Sequence, residues 1–260
     1  MKTLLLPLTL LLTLASATPI ADPTATLHTP DLHRRQATTT SSSPTSTPSA
    51  YALPTLPYGL SDLEPHISRE IVETHHTKHH ATFISNMNLA VRDLQSGNIT
   101  NIANILSSFR YNAGAHINHS LFWLSLAKTN STQAMATPSR EREALSSLTG
   151  QILSQWGSYD AMWEALVEKA KELTGSGWVW LVRGPGNLNT VEVKLTTDQT
   201  PMMDPWTPIF CIDLWEHAYY PQYKNDKMAY LRSIKNIINW DEAEKRYSKT
   251  KLSPVVGTEW

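Results

Sequence analysis

Apolar side chains recur at helical spacing along two stretches in the first half of the chain. Residues 67–94 carry them without an interrupting proline or glycine, and residues 98–127 repeat the pattern. This spacing predicts two long helices that pack against each other, the second with a break near Gly114. Residues 139–155 and 158–173 have the same periodicity and predict two further helices.

The periodicity changes beyond these helices. Residues 178–182 and 190–195 are aromatic and β-branched, with the turn-forming Pro185 between them, so they predict a β-hairpin. The short apolar run 208–212 predicts a third, buried strand, and residues 226–248 return to helical spacing. Helices followed by a small antiparallel sheet and more helices indicate an α+β fold. The domains expected are a helical hairpin over 54–136 and a mixed domain with a small sheet over 137–260.

The residues before the hairpin have the composition of segments outside a folded domain. Residues 1–17 combine a basic residue, a leucine-rich run and a small-residue site, which predicts a secretory signal peptide. A buried N-terminal helix is the alternative. A dibasic site predicts a propeptide over 18–35, unless the pair stays uncut, and the Ser, Thr and Pro of residues 36–53 predict a linker. We therefore expect a secreted protein, extracellular or associated with the cell wall.

Three sequons accompany this expectation of secretion. They begin at Asn98, Asn118 and Asn130. The second lies in an apolar helix pattern, so we expect Asn118 to be buried and unglycosylated. The other two fall near predicted helix ends, where glycans fit, and predict a glycoprotein.

Composition and charge exclude several classes of function. The chain has 22 basic and 23 acidic side chains, a net charge of -1, which argues against a nucleic-acid partner. Beyond the leader no apolar run is long enough to span a membrane. The one cysteine, Cys211, cannot form an intramolecular disulfide, so stability must come from packing, a metal or assembly.

Histidines form the first cluster with chemical potential. One six-residue segment of the first predicted helix contains four histidines, which are His75, His76, His79 and His80. Residues four apart on a helix share a face, so this segment presents two histidine pairs. Histidine is the commonest metal ligand, although a polar helix face can also be merely solvated.

Two further clusters strengthen the prediction of a metal site. His116 and His119 lie on the second predicted helix beside core aromatics, where an unpaired imidazole is costly. Asp213 and His217 directly follow the buried strand, and a buried carboxylate needs a cation. Such a mixed nitrogen and oxygen site suits iron, manganese or zinc. The residues alone leave a mononuclear metalloprotein, for example a non-haem iron oxygenase, open as an alternative.

Seven separate motifs resemble those of the manganese/iron superoxide dismutase family, and the arrangement of Gly114 and Gln199 resembles its manganese type. The motifs occur in order over residues 54–247, at family-like spacing, and no single one carries the resemblance alone. The motifs are LPYGL at 56–60, LEPHI at 63–67, HHTKHH at 75–80, HINHSLFW at 116–123, GSGW at 175–178, DLWEHAYY at 213–220 and NIINW at 236–240.

The resemblance implies a function and a metal. It implies a superoxide dismutase that converts superoxide to oxygen and hydrogen peroxide, with one manganese ion per subunit and iron as the less favoured metal. The metal ligands it implies are His75, His119, Asp213 and His217. His76, His80 and His116 would then support the ligands, and Trp123, Trp178 and Trp215 would form aromatic walls.

The resemblance also implies an assembly and further site residues. A homodimer or homotetramer follows, in which Glu216 bonds a ligand histidine of the neighbouring subunit and Tyr220 meets the partner's His79. Within its own subunit, His79 would lie at the mouth of the substrate funnel. Gln199 would be the glutamine that hydrogen-bonds solvent at the metal, unless it is an ordinary loop glutamine.

One departure from the family concerns Phe83, which stands where a gateway tyrosine is usual. The missing hydroxyl leads us to expect an active enzyme with altered proton delivery and product inhibition. It also keeps an alternative function open, a catalytically weak or inactive relative that serves as a metal-binding or interaction protein.

Overall fold

The computed structural model describes residues 51–97, 100–134, 147–185 and 190–249. The predicted signal peptide, the propeptide, most of the linker and the first sequon lie outside these residues. Within them the fold is α+β, as predicted, with a helical hairpin followed by a mixed domain.

The helical hairpin consists of two long antiparallel arms. The first arm contains α1 (Arg69–Thr74), a π-helical turn (His75–His80) and α2 (Ala81–Gln95), which follow one another without interruption. The second arm is α3 (Ile102–Leu124), which packs along α2. The Ser68 hydroxyl caps α1 by accepting from the Ile71 N–H at 3.4 Å. The sequence predicted both arms but not the wider turn.

The predicted break near Gly114 is wrong, because α3 runs through this residue. A Cβ built at Gly114 would lie 2.2 Å from the main-chain oxygen of Gln199. The glycine therefore permits a loop to approach the helix closely and does not interrupt the helix.

Three antiparallel strands form the sheet of the mixed domain. They are β1 (Gly177–Arg183), β2 (Val191–Thr197) and β3 (Thr207–Asp213), in the order β2-β1-β3. The predicted hairpin is β1 and β2, and the predicted buried strand is β3. In the pairing of the central strand β1 with β3, Trp178 lies opposite Asp213 at the end of β3. This register places the Asp213 carboxylate beside the Trp178 residue.

Five helices in the described part of the mixed domain accompany the sheet. They are α4 (Leu148–Trp156), α5 (Tyr159–Lys171), α6 (Glu216–Tyr223), α7 (Lys227–Ile234) and α8 (Trp240–Ser248), with a 3₁₀ turn at Lys235–Ile237. The helical stretch predicted over 226–248 is therefore divided between α7 and α8. Between them, Ile238 forms a bridge with Leu126, and the Asn239 N–H donates to the Ser125 carbonyl at 2.8 Å. These bonds fasten the end of α3 to the C-terminal helices.

A cluster of buried apolar residues in the described part of the chain joins the sheet to α1 and to the C-terminal end of α3. It includes Phe122 and Trp123 of α3 and Trp178 and Trp180 of β1, all at most 2% exposed. Burial of such large aromatic side chains is a major source of stability. Among the described helices none is long and apolar enough to cross a membrane.

Candidate metal centre

Four side chains from four elements converge at the end of this core. They are His75 from the π-helical turn, His119 from α3, Asp213 from the end of β3 and His217 from α6, and one ligand atom of each lies within 4.8 Å of the others. Asp213 Oδ2 lies 3.1 Å from His75 Nε2, 3.3 Å from His217 Nε2 and 3.7 Å from His119 Nε2. The residues implied as ligands are therefore brought together.

The π-helical turn places His75 in this group. The Ala81 N–H donates to the His76 carbonyl, five residues earlier, so the turn is one residue wider than an α-helical turn. Turns of this kind occur mostly singly within α-helices and often at functional sites. Here the turn carries all four histidines of the segment, and His75, its first residue, is almost fully buried.

Hydrogen bonds orient two of the candidate ligands. His119 Nδ1 donates to the Ala115 carbonyl at 2.7 Å, which leaves Nε2 facing the cluster without a proton. Asp213 Oδ1 accepts from the Trp215 N–H at 2.8 Å, which leaves Oδ2 free. Both remaining atoms are buried and lack a well-aligned hydrogen-bond partner among the described residues. Buried polar atoms without a partner are rare, so this pair of atoms fits the ligands of a cation.

The electrostatics favour neutral imidazoles around an ionised carboxylate. Burial lowers the pKa of His75 to about 4 and holds the pKa of His119 well below its ordinary value. Burial alone would raise the pKa of Asp213, but the neighbouring His217 and His75 outweigh it and hold this pKa below its usual range. At neutral pH these groups therefore offer lone pairs with little competition from protons.

Three imidazole nitrogens and one carboxylate oxygen fit one metal ion per subunit. This donor set suits manganese, iron or zinc and contains no thiolate that would favour copper(I). A cation at the centre would satisfy both orphaned atoms and offset the cost of the buried carboxylate.

Gln199 is buried next to this centre, although it lies in a loop. Its Oε1 accepts from Trp178 Nε1 at 3.2 Å and from Asn118 Nδ2 at 3.4 Å. Its main-chain oxygen accepts from the same Asn118 amide at 3.2 Å. The Nε2 group is buried and has no partner among the described residues. A fixed amide with a free N–H group is suited to hydrogen-bond solvent or an anion.

Three other histidines of the sequence clusters surround the candidate ligands and are held by hydrogen bonds and ring stacking. His80 Nδ1 accepts from Trp123 Nε1 at 3.2 Å, so its Nε2 carries the proton and donates to His116 Nδ1 at 2.9 Å. The His80 ring stacks on His119 with centroids 5.2 Å apart. His76 Nε2 donates to the Pro54 carbonyl at 2.8 Å.

The remaining predicted site residues lie on the open side of the centre. The His79 ring stacks on His217 at 4.4 Å, and the half-buried Phe83 ring lies 5.2 Å from the His119 ring. Glu216 begins α6 and is exposed, and Tyr220 on the same helix is 47% exposed.

Sequence reasoning missed the support that Asn118 and Ala115 give to the site. Asn118 was noticed as a sequon and is fully buried, as predicted, but its amide contacts a residue 81 positions away. An asparagine inside an apolar helix face was the available signal. The Ala115 carbonyl had none, because any residue supplies a backbone oxygen.

Comparison with known proteins finds similar relatives in fungi. A protein of Penicillium chrysogenum, named mitochondrial manganese superoxide dismutase, is 41% identical over 213 residues, which cover 80% of this chain and 99% of the relative. One of Aspergillus niger with the same name is 44% identical over 199 residues, covering 75% and 91%. One of Aspergillus oryzae is 41% identical over 202 residues, covering 76% and 92%.

These names contradict the predicted location. The relatives are named mitochondrial, so the expectation of a secreted or cell-wall protein is wrong. The signal-peptide and glycoprotein expectations lose their support with it. The expectation rested on the composition of residues 1–17 alone, with no packing argument behind it.

Two family models also match the chain. The alpha-hairpin domain of iron/manganese superoxide dismutases matches residues 50–127, and the C-terminal domain of the same family matches residues 143–246. The matches contain all four clustered ligands and both structural halves of the fold. Together with the relatives, they set aside the oxygenase alternative. The chain belongs to the iron/manganese superoxide dismutase family.

Proposed function

We propose that this protein is a superoxide dismutase that uses one manganese ion per subunit, held by His75, His119, Asp213 and His217. The observation that carries the proposal is the buried cluster in which His119 Nε2 and Asp213 Oδ2 lack partners. The relatives named manganese superoxide dismutase support manganese over iron.

The chemistry divides between the ion and the chain. When bound, the ion would supply one-electron redox chemistry, which takes an electron from one superoxide and gives it to another. The balanced reaction converts two superoxide anions and two protons to oxygen and hydrogen peroxide. The chain must therefore hold the ion, admit a small anion and deliver protons.

Gln199 has the proposed role of hydrogen-bonding solvent or anion at the centre. Its carbonyl side is held by Trp178 and Asn118, so the free Nε2 group keeps a fixed direction. Hydrogen bonds from residues that surround the ligands without binding the metal tune the basicity and redox behaviour of the site. The buried Trp123 and Trp178 rings exclude bulk water from the metal site.

Phe83 has the proposed role of an apolar gate that leaves proton delivery to other groups. Its ring lies against His119 and contributes no hydroxyl. Phe83→Tyr should change product inhibition and the fast phase of superoxide decay in pulse radiolysis. An unchanged profile would contradict this role.

Measurement of superoxide decay tests the proposed function directly. The manganese-loaded full chain should accelerate decay, and His119→Gln should lose both bound manganese and activity. His66→Gln is a matched control, because His66 lies outside the cluster and bonds Ser233. Manganese near one per subunit without activity in the unmodified protein would favour the alternative, an inactive metal-binding or interaction protein.

We also propose a homodimer or homotetramer in which α6 contributes to the subunit interface. Glu216 and Tyr220 are exposed beside the metal centre, where a partner would cover them and meet His79. Analytical ultracentrifugation should show a dimer or tetramer. Glu216→Ala should weaken it and lower manganese retention, and a monomeric unmodified protein would refute the assembly.

A further inference from the structure

A tyrosine lies on the open side of the metal centre, next to Phe83. The Tyr111 ring meets the Phe83 ring edge-on, with centroids 6.1 Å apart, and Phe83 in turn contacts the His119 ring at 5.2 Å. Tyr111 precedes His119 by about two turns of α3, so both lie on the same broad side of the helix. Tyr111 is 40% exposed, whereas His119 is fully buried. The three rings therefore lead from solvent to a ligand.

Few groups at this entrance are free to donate a proton. The indole N–H groups of Trp178 and Trp215 both donate to acceptors within the protein. Phe83 has no polar atom, and the ring contacts of His79 in the described part of the chain are with His75 and His217, not with Phe83. The Tyr111 hydroxyl makes no hydrogen bond to any residue in the described part of the chain, so it is available to water.

The surroundings of Tyr111 keep its phenol protonated. Partial burial raises the pKa of Tyr111, and the negative charge of Asp198 raises it further. Asp198 is the exposed residue that precedes Gln199, and its φ of 51° places it at a tight turn. Tyr111 thus contacts Phe83 and feels the charge of the loop that carries the buried amide.

We propose that Tyr111 delivers protons, through water, to the anion reacting at this centre. The inference rests on the proposed function, because reduction of one superoxide to hydrogen peroxide takes one electron and two protons. The electron would come from the bound ion. One proton leaves the Tyr111 O–H group, the other comes from solvent, and the phenol oxygen regains a proton from bulk solvent. Phe83 provides the apolar wall, while Tyr111 provides the hydroxyl that this wall lacks.

The test compares three variants of the manganese-loaded full chain. Tyr111→Phe removes the hydroxyl and keeps the ring. Tyr51→Phe is the matched control, because Tyr51 bonds Asn88 of α2 only through its main chain. The double variant Phe83→Tyr/Tyr111→Phe moves the hydroxyl by one ring toward His119.

Superoxide decay followed by pulse radiolysis separates proton delivery from substrate capture. We expect Tyr111→Phe to lower kcat roughly tenfold with kcat/KM unchanged, since general-acid groups act after binding. Tyr51→Phe should match the unmodified protein, and the double variant should recover kcat. A double variant as slow as Tyr111→Phe would overturn the proposal.

Azide binding gives a readout that does not depend on turnover. A hydroxyl that hydrogen-bonds anions through water should raise the azide Kd roughly two- to tenfold when removed, as absorption titration can measure. An unchanged azide Kd or an unchanged kcat in Tyr111→Phe overturns the role of Tyr111 alone. Absence of turnover in the unmodified protein overturns the proposed function, and the proton-delivery role with it.

Discussion

The main-chain oxygen of Gln199 occupies the space where a side chain at Gly114 would begin. A Cβ at this position would lie 2.2 Å from that oxygen and 3.2 Å from the Pro201 ring. Because Asn118, one turn further along α3, donates to the same oxygen, the loop is both admitted and held by the helix. The position of the buried amide thus depends on a residue with no polar side chain.

Gly114→Ala should displace this loop and weaken the site. Overpacking of a tight contact costs about 1–3 kcal/mol, so the melting temperature should fall and kcat should fall with it. Gly59→Ala is the control, because a Cβ there meets only the Asp62 carboxylate at 3.4 Å. Calorimetry and superoxide decay check the pair, and equal effects in both variants would refute the steric role of Gly114.

Trp178→Phe should lower kcat more than Trp180→Phe, a change two residues further along the same strand. Both rings are fully buried on β1, but only Trp178 Nε1 donates to Gln199, whereas Trp180 Nε1 donates to Thr196 Oγ1 at 2.9 Å. Removal of a hydrogen bond from a residue that surrounds the metal ligands typically lowers activity by about tenfold or more. Comparable stability loss with a kcat defect in Trp178→Phe alone is expected, and equal kcat values would contradict it.

Removal of the metal should lower the unfolding temperature without unfolding the protein at 25 °C. The ion would connect α3, β3 and α6 to the π-helical turn, and the four-residue cluster exists only in the folded chain. Free metal at about 1,000 times its Kd stabilises by about 4 kcal/mol. Thermal unfolding with and without a chelator measures this, with His119→Gln as a variant that should not respond to manganese.

Arg246→Met should destabilise the protein by about 3 kcal/mol, since it breaks a buried ion pair. Arg246 is 3% exposed, and its guanidinium donates to Glu242 Oε1 at 3.0 Å and to the Ile209 carbonyl at 3.3 Å. Denaturant unfolding should show this loss. Arg69→Met is the control, because its pair with Glu73 is exposed and contributes at most about 1 kcal/mol.

The sequence predicted most helices and strands well, because periodicity is a local signal. The α+β fold agrees with that signal, whereas the choice of His75, His119, Asp213 and His217 rests on the family resemblance, and the structure brings these four side chains together. Gly114 was misread because its reason for being glycine lies on a loop 85 positions away. The sequence prediction missed the division between α7 and α8, where Asn239 caps α8 and bonds to the end of α3, distant in the chain, hold the break.

The wider turn at His75–His80 holds one residue more than an α-helical turn, with α1 and α2 on either side of it. Each residue of an α-helix rotates the next by about 100°, but an extra residue that is taken up within one wide turn leaves the flanking helices in phase. Ile71 and Val72 before the turn and Ile84 and Met87 after it are all buried. A one-residue deletion between His75 and His80 would therefore leave an ordinary α-helix with α2 still packed on α3, but it would change which histidines share a face. The extra residue thus serves the arrangement of the histidines and not the packing of α2.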